Sequence, residues 1–167
     1  NQIIQLQEKL CEGFGLKRKE AALGIYDFDK IKWPIKYTTF PPTMKFVPLD
    51  ISEPLTLNEI LQKHEKGRQY AHLLQGCKEY PILIDSANEV LSMPPIINSN
   101  FTGKVTEKTK NVFIEITGFS YHFIVPVLNV IVSALAERGG KIEQITIKTP
   151  QGTITTPDFT PKSAVIE

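Results

Sequence analysis

Phe113, Glu115 and Thr117 recur at every second position of the run NVFIEIT (111–117), with Val112, Ile114 and Ile116 between them. In an extended chain this alternation puts an aromatic ring, a carboxylate and a hydroxyl on one face and the aliphatic side chains on the other. A carboxylate among apolar neighbours is costly to bury unless something bonds to it. Glu115 is therefore either satisfied within the protein by a salt bridge or an acceptor for a ligand that carries both a ring and a hydroxyl. A second segment, YPILIDSANEVLSMPPIINS (80–99), sets Asp85, Ser86, Ser92, Asn98 and Ser99 in equally apolar surroundings. Ser92, between Leu91 and Met93, is a small hydroxyl able to donate or accept; Leu83 reads as core. Asn98 and Ser99 follow Pro94-Pro95. They close a turn, or their backbone N–H groups face an anion or a carbonyl oxygen.

Other chemistries lack their residues. The sequence holds no glycine-rich phosphate loop, no dinucleotide fingerprint and no Gly-x-Ser-x-Gly elbow. His64, His72 and His122 share no ligand spacing and no Cys-x-x-Cys pair occurs, so no zinc or other metal site is expected. Lys+Arg number 19 against 18 Asp+Glu, which leaves no overall pull on nucleic acid. Phosphate contacts must come from local clusters. The candidates are Lys17 and Arg18 in one basic run and Lys66 and Arg68 in another, each of which also reads as a solvated patch.

The elements that must position these groups follow from periodicity. Residues 2–14 carry Ile3, Leu6, Leu10 and Phe14 at helical spacing. Residues 21–28 read as a strand, with Leu23, Ile25 and Asp27 on one face. Short strands are expected at 35–40 and 44–49. Thr56 and Glu59 form a capping-box pattern that opens a helix at 57–64, and Gly67 separates it from another at 68–74. Strands at 82–85 and 89–93 flank a turn at Ser86-Ala87-Asn88. A helix begins near Pro126, runs to Arg138 and stops at Gly139-Gly140; apolar nearly all round, it should be covered on most sides. Residues 141–149 and 153–155 form a hairpin. The expected class is α+β: layered, sandwich-like β-sheets packed by one central buried helix and peripheral short helices.

At 167 residues, 41% hydrophobic and 22% charged, the chain suits one domain with a full core. Cys11 and Cys77 read as reduced thiols of a cytoplasmic protein. The longest apolar run, 119–136, is interrupted by polar residues and short of the ~20 residues a membrane span needs. A chain that starts without Met and ends at Glu167 reads as a piece of a longer polypeptide.

The order of RKEAALGIYDFDKIKWPIKY (18–37), FVPLD (46–50), LNEILQKHEKGRQYAHLL (57–74), SMPPIINS (92–99), KNVFIEITG (110–118) and VLNVIVSALAERGGKIE (127–143) resembles the editing domain of the phenylalanyl-tRNA synthetase β subunit, of the archaeal and eukaryotic type. The resemblance spans about residues 1–150. It implies an editing domain over 1–155 and a connector, 156–167, to a following module. It also implies hydrolysis of tyrosine wrongly esterified to tRNA(Phe), with Leu83, Ser92, Glu115 and Thr117 recognising tyrosine; Phe113, on the same face as Glu115, would then join Leu83 around the ring. Pro95, Asn98 and Ser99 would lie near the attacked ester or the terminal adenosine. The family's parent enzyme uses ATP and magnesium at a synthetic site in its α subunit; the editing domain needs no cofactor. Implied partners are the tRNA acceptor end, the α subunit and the remaining β-subunit modules. The competing readings are a non-catalytic tRNA-binding module and a subunit-interaction module. After Thr117-Gly118 this chain has Phe119-Ser120, where the family pattern continues Thr-Asp.

Overall fold

A computed structural model describes residues 2–158. In chain order its elements are α1 (Gln2–Lys9), β1 (Ala22–Asp27), β2 (Lys36–Phe40), β3 (Lys45–Phe46), β4 (Leu55–Thr56), α2 (Leu57–Lys63), α3 (Glu65–Tyr70), β5 (Tyr80–Ile84), β6 (Val90–Met93), β7 (Ile97–Asn98), β8 (Val112–Thr117), α4 (Tyr121–Ala136), β9 (Ile145–Thr149) and β10 (Gly152–Thr156). Most of residues 156–167, expected to be a connector, lies outside the described residues.

Four layers stack because two sheets each have two different faces. β1 and β8 form an antiparallel pair in which Gly24 lies opposite Glu115 and Tyr26 opposite Phe113. One face of this pair, Leu23, Ile25, Ile114 and Ile116, packs under α1 and α4 with Leu6, Val127 and Ile131. Its other face meets the second sheet, of order β2-β5-β6-β7, through Tyr26, Leu83 and Leu91. The outer face of that sheet buries Ile82, Ile84, Val90 and Met93 against Leu57, Ile60, Tyr70 and Leu74 of the α2–α3 region. The molecule is thus α+β with several antiparallel sheets, as expected.

Local chemistry sets the element ends. Thr56 Oγ1 accepts from Glu59 N and the Glu59 carboxylate accepts from Thr56 N, so the expected capping box opens α2. His64, not Gly67, divides α2 from α3: its ring nitrogen accepts from Lys66 N. Gly67 lies inside α3, where an added Cβ would sit 1.8 Å from the Ile60 carbonyl oxygen. Its lack of a side chain serves close packing of two helices, not a break. The last long helix starts at Tyr121, five residues before Pro126. Ser120 caps it by accepting from His122 N, which is the role an Asp can also fill at that position. Pro126 sits inside the first two turns, where few intrahelical bonds are lost.

This helix is less enclosed than its composition suggests. It buries Val127, Ile131 and Val132, while Tyr121, Val125 and Val130 are exposed beside Phe119, which is 91% exposed. In the expected 44–49 strand only Lys45–Phe46 forms a ladder, because its partner β4 is two residues long. The C-terminal hairpin forms with β9 starting at Ile145, four residues later than expected. Among the described residues no helix is long and apolar enough to cross a membrane.

Candidate functional site

Alternation in β8 works as read from the sequence. Phe113, Glu115 and Thr117 face the second sheet, and so do their β1 partners Tyr26, Gly24 and Ala22. On the opposing side, Leu83 pairs with Ser92, and Ser92 pairs with Asn98, which places the three side chains on a common face. A β-bulge sets this arrangement. The register passes from Leu83↔Ser92 to Ile84↔Val90 and skips Leu91. Two consecutive residues, Leu91 and Ser92, can then both turn toward β1. Leu91 joins the apolar cluster around Tyr26, and Ser92 Oγ lies 2.9 Å from Tyr26 Oη.

Between the sheets lies a narrow hollow, a cleft open to solvent at its mouth and, at about 20 Å³, roomy enough for little more than one water. Its walls include Arg18, Gly24, Tyr26, Ser92, Pro95, Asn98, Glu115 and Thr117. Its floor is a hydrogen-bonded chain. Tyr26, completely buried, donates to Glu115 Oε2 at 2.9 Å. A phenol has one proton to give, so the Ser92 hydroxyl donates to Tyr26. Gly24 makes room for this: a Cβ there would stand 2.3 Å from the Tyr26 hydroxyl. The other carboxylate oxygen, Glu115 Oε1, is closed off from solvent and has no partner; the same holds for Thr117 Oγ1. Burial raises the Glu115 carboxyl to about 7, against the opposing influence of the Tyr26 hydroxyl and then of the Thr117 hydroxyl, which stands near enough to act on the carboxylate although the two share no well-formed hydrogen bond. Tyr26 is pushed well above the usual phenol range by burial and then by the neighbouring Glu115 charge.

Arg18 reaches the same hollow from an unusual backbone. Leu16, Lys17 and Arg18 have successive φ values of 49°, 56° and 66°, the left-handed region that non-glycine residues rarely occupy. Arg18 N donates to Cys11 O at 3.0 Å, tying the segment to the π-helical turn Leu10–Phe14 that follows α1. The guanidinium lies over the Tyr70 ring at 4.3 Å. Its Nη1 donates to Pro95 O and Ile96 O at 3.1 and 2.8 Å. Its Nε is buried without a partner.

The sequence candidates divide by place. Ser92, Glu115, Thr117, Pro95, Asn98 and Arg18 share the hollow. Leu83 and Phe113 stand behind it, in the cluster with Tyr26; the Phe113 ring stacks on Tyr26 at 5.6 Å and meets Trp33 edge-on at 5.4 Å. Ser99 is turned away, with its Oγ 2.9 Å from Thr102 and its N–H given to Leu91 O. Asp85 is structural: its carboxylate accepts from the backbone of Lys32, Ala87 and Glu89. Lys17, Lys66 and Arg68 do not line the hollow; Lys17 and Arg68 are exposed and Lys66 is half-buried. Sequence reasoning missed Gly24 and Tyr26. The signal was the second face of β1, where Ala22, Gly24 and Tyr26 alternate as small, smallest and aromatic.

Comparison with known proteins supports the fold. Residues 10–135 match the family model described as B3/4 domain. The phenylalanine–tRNA ligase beta subunit of Pyrococcus furiosus is 57% identical over 162 residues, which is 97% of this chain and 29% of that protein. The corresponding subunit of Methanococcoides burtonii is 45% identical, over 96% of this chain and 30% of its own length. The crystal structure of an N-terminal fragment of the phenylalanyl-tRNA synthetase beta subunit from Pyrococcus horikoshii superposes with a TM-score of 0.94 at 57% identity. That match covers 96% of this chain and 46% of the fragment. The chain therefore spans about 30% of the length of the curated relatives it matches. A match to the family model over most of its length shows that this chain belongs to the B3/4 domain family.

Proposed function

We propose that this domain proofreads aminoacyl-tRNA by hydrolysing the ester of tyrosine wrongly attached to tRNA(Phe). The observation that carries the reading is the pair of buried, unpartnered oxygens, Glu115 Oε1 and Thr117 Oγ1, on one wall of the hollow. A buried acceptor without a donor costs free energy, and a phenol hydroxyl entering the hollow removes that cost. Phenylalanine offers no such proton. A site built to bond a hydroxyl can reject the analogue that lacks it by about 10⁴–10⁵-fold. The apolar cluster of Tyr26, Leu83 and Phe113 backs the wall against which the ring would lie.

The ester of an aminoacyl-tRNA is already activated, so a positioned water and donors to the developing oxyanion suffice. Three backbone positions near the prolines offer no free donor. Pro95 has no N–H, Ile96 N donates to Met93 O at 2.8 Å, and Ser99 N donates to Leu91 O at 2.7 Å. Asn98 and Arg18 line the hollow; Asn98 Nδ2 gives one N–H to Ile25 O at 3.3 Å and keeps a second, and Arg18 Nε has no partner, so these side chains are the donors we assign to the oxyanion. A ribose hydroxyl of the terminal adenosine places the water, and no protein side chain acts as general base.

The chain works as part of a cytoplasmic phenylalanine–tRNA ligase beta subunit, beside the α subunit and further modules, and meets the acceptor end of tRNA(Phe). ATP and magnesium serve the parent's synthetic site and not this domain. The test is release of amino acid from tyrosyl-tRNA(Phe) and phenylalanyl-tRNA(Phe) by the 167-residue chain. The expected result is faster release of tyrosine. Binding of both tRNAs without release of either contradicts the reading and favours a binding module.

A further inference from the structure

Two features of the hollow are not explained by tyrosine recognition alone: a second, wholly internal phenol on the recognition carboxylate, and a glycine that seats it. We propose that Tyr26 is a positioning residue, which ties Glu115 Oε2 to Ser92 and so reserves Oε1 for the hydroxyl of an incoming ligand. The inference rests on the editing reading for the ligand's identity, but not for the geometry of the chain.

A carboxylate has two equivalent oxygens and rotates about its terminal bond. Left free in a hollow, it would meet a ligand in several orientations and be partly satisfied before the ligand arrived. The Tyr26 hydroxyl removes that freedom, holding Oε2 at 2.9 Å. Ring packing fixes the hydroxyl in turn: Tyr26 is completely buried, stacks on Phe113 at 5.6 Å, and is held from the far side by Leu83 and Leu91. Ser92 closes the chain at 2.9 Å. Because Tyr26 gives its single proton to the carboxylate, Ser92 must give its own to Tyr26. With Glu115 ionised, both ends of the chain then present lone pairs to the hollow, Oε1 at one end and Ser92 Oγ at the other. The wall therefore attracts hydroxyl donors and offers a bare aromatic ring nothing. Gly24 belongs to the same device, since any side chain there would collide with the Tyr26 hydroxyl.

The test compares the 167-residue chain with its Tyr26→Phe variant, which keeps the ring and its stacking. The first readout is the pH titration of the Glu115 side-chain carboxyl carbon by NMR. Loss of the Tyr26 donor should move that titration to higher pH by about one unit, the size of one charge-assisted hydrogen bond. The second readout is the ratio of tyrosyl- to phenylalanyl-tRNA(Phe) hydrolysis, expected to fall about tenfold, chiefly through a raised KM for the tyrosyl ester. Ser92→Ala, which leaves the Tyr26–Glu115 bond but frees the phenol, should shift the titration the same way by a smaller amount and keeps the test available if Tyr26→Phe does not fold. An unchanged titration in a folded Tyr26→Phe or Ser92→Ala variant overturns the inference, whatever the hydrolysis shows. If the unmodified chain cleaves neither ester, the editing reading falls, and the titration alone decides whether Tyr26 positions Glu115.

Discussion

Tyr26 and Glu115 meet at 2.9 Å through only one of the two carboxylate oxygens, and the other, equally shut off from water, bonds to nothing. The site is in this sense half complete without a ligand. It also holds a carboxyl raised to about 7 by burial, and that has a consequence for stability. A carboxyl of ordinary affinity in the unfolded chain releases its proton near 4.5. Between these two values the folded protein binds more protons than the unfolded one, so stability is greatest below 4.5 and falls as pH rises through 7. The loss is up to about 3 kcal/mol, reduced because Glu115 is only partly buried as a residue and meets some solvent screening. Glu115→Gln, which cannot ionise, should lack this loss. Urea denaturation between pH 5 and 8 should show the variant gaining on the native chain by about 1–3 kcal/mol. Parallel stability curves would contradict the burial of this charge.

Gly24→Ala probes the same relationship from the backbone side. The new Cβ would stand 2.3 Å from the Tyr26 hydroxyl, so the phenol must move off Glu115. Overpacking of this kind costs about 1–3 kcal/mol, visible as a lower denaturation midpoint. The variant should also lose tyrosine preference. Full stability with intact preference would show that the hydroxyl has room to spare.

Arg18 separates two roles by its replacements. Its Nη1 holds the carbonyls of Pro95 and Ile96, while its Nε, in a residue that lines the hollow, is buried without a partner. Both Arg18→Ala and Arg18→Lys should lower kcat for tyrosyl-tRNA hydrolysis by about 10²-fold, as loss of an oxyanion donor does, because lysine cannot reproduce the planar fork. If Arg18 served mainly as a phosphate contact, lysine would restore activity, and the alanine variant would show a shallower dependence of tRNA affinity on salt.

Alternation made the strand of Glu115 legible, and with it the shared face of Phe113, Glu115 and Thr117, because a period of two survives any tertiary context that leaves the strand extended. The Thr56–Glu59 capping box was equally local. Other features depended on what lies elsewhere in the chain. Leu91 and Ser92 share a face only through a bulge whose position is set by the pairing of β5 with β6. Gly67 looks like a helix breaker until Ile60 is placed against it. Pro126 looks like a helix start until Ser120 is seen to cap five residues of helix before it. The left-handed run that delivers Arg18 has no compositional mark at all, since Leu16, Lys17 and Arg18 are not residues that favour it. Tyr26 was visible in the pattern, on the face of β1 opposite Leu23 and Ile25.

The most direct measurement is the rate of amino-acid release from tyrosyl-tRNA(Phe) and from phenylalanyl-tRNA(Phe), taken on the native chain and on Glu115→Ala. The native chain should release tyrosine far faster than phenylalanine, and the variant should lose that preference because the carboxylate acceptor for the phenol is gone. A Glu115→Ala chain that still clears tyrosyl-tRNA at the native rate while sparing phenylalanyl-tRNA would contradict this expectation.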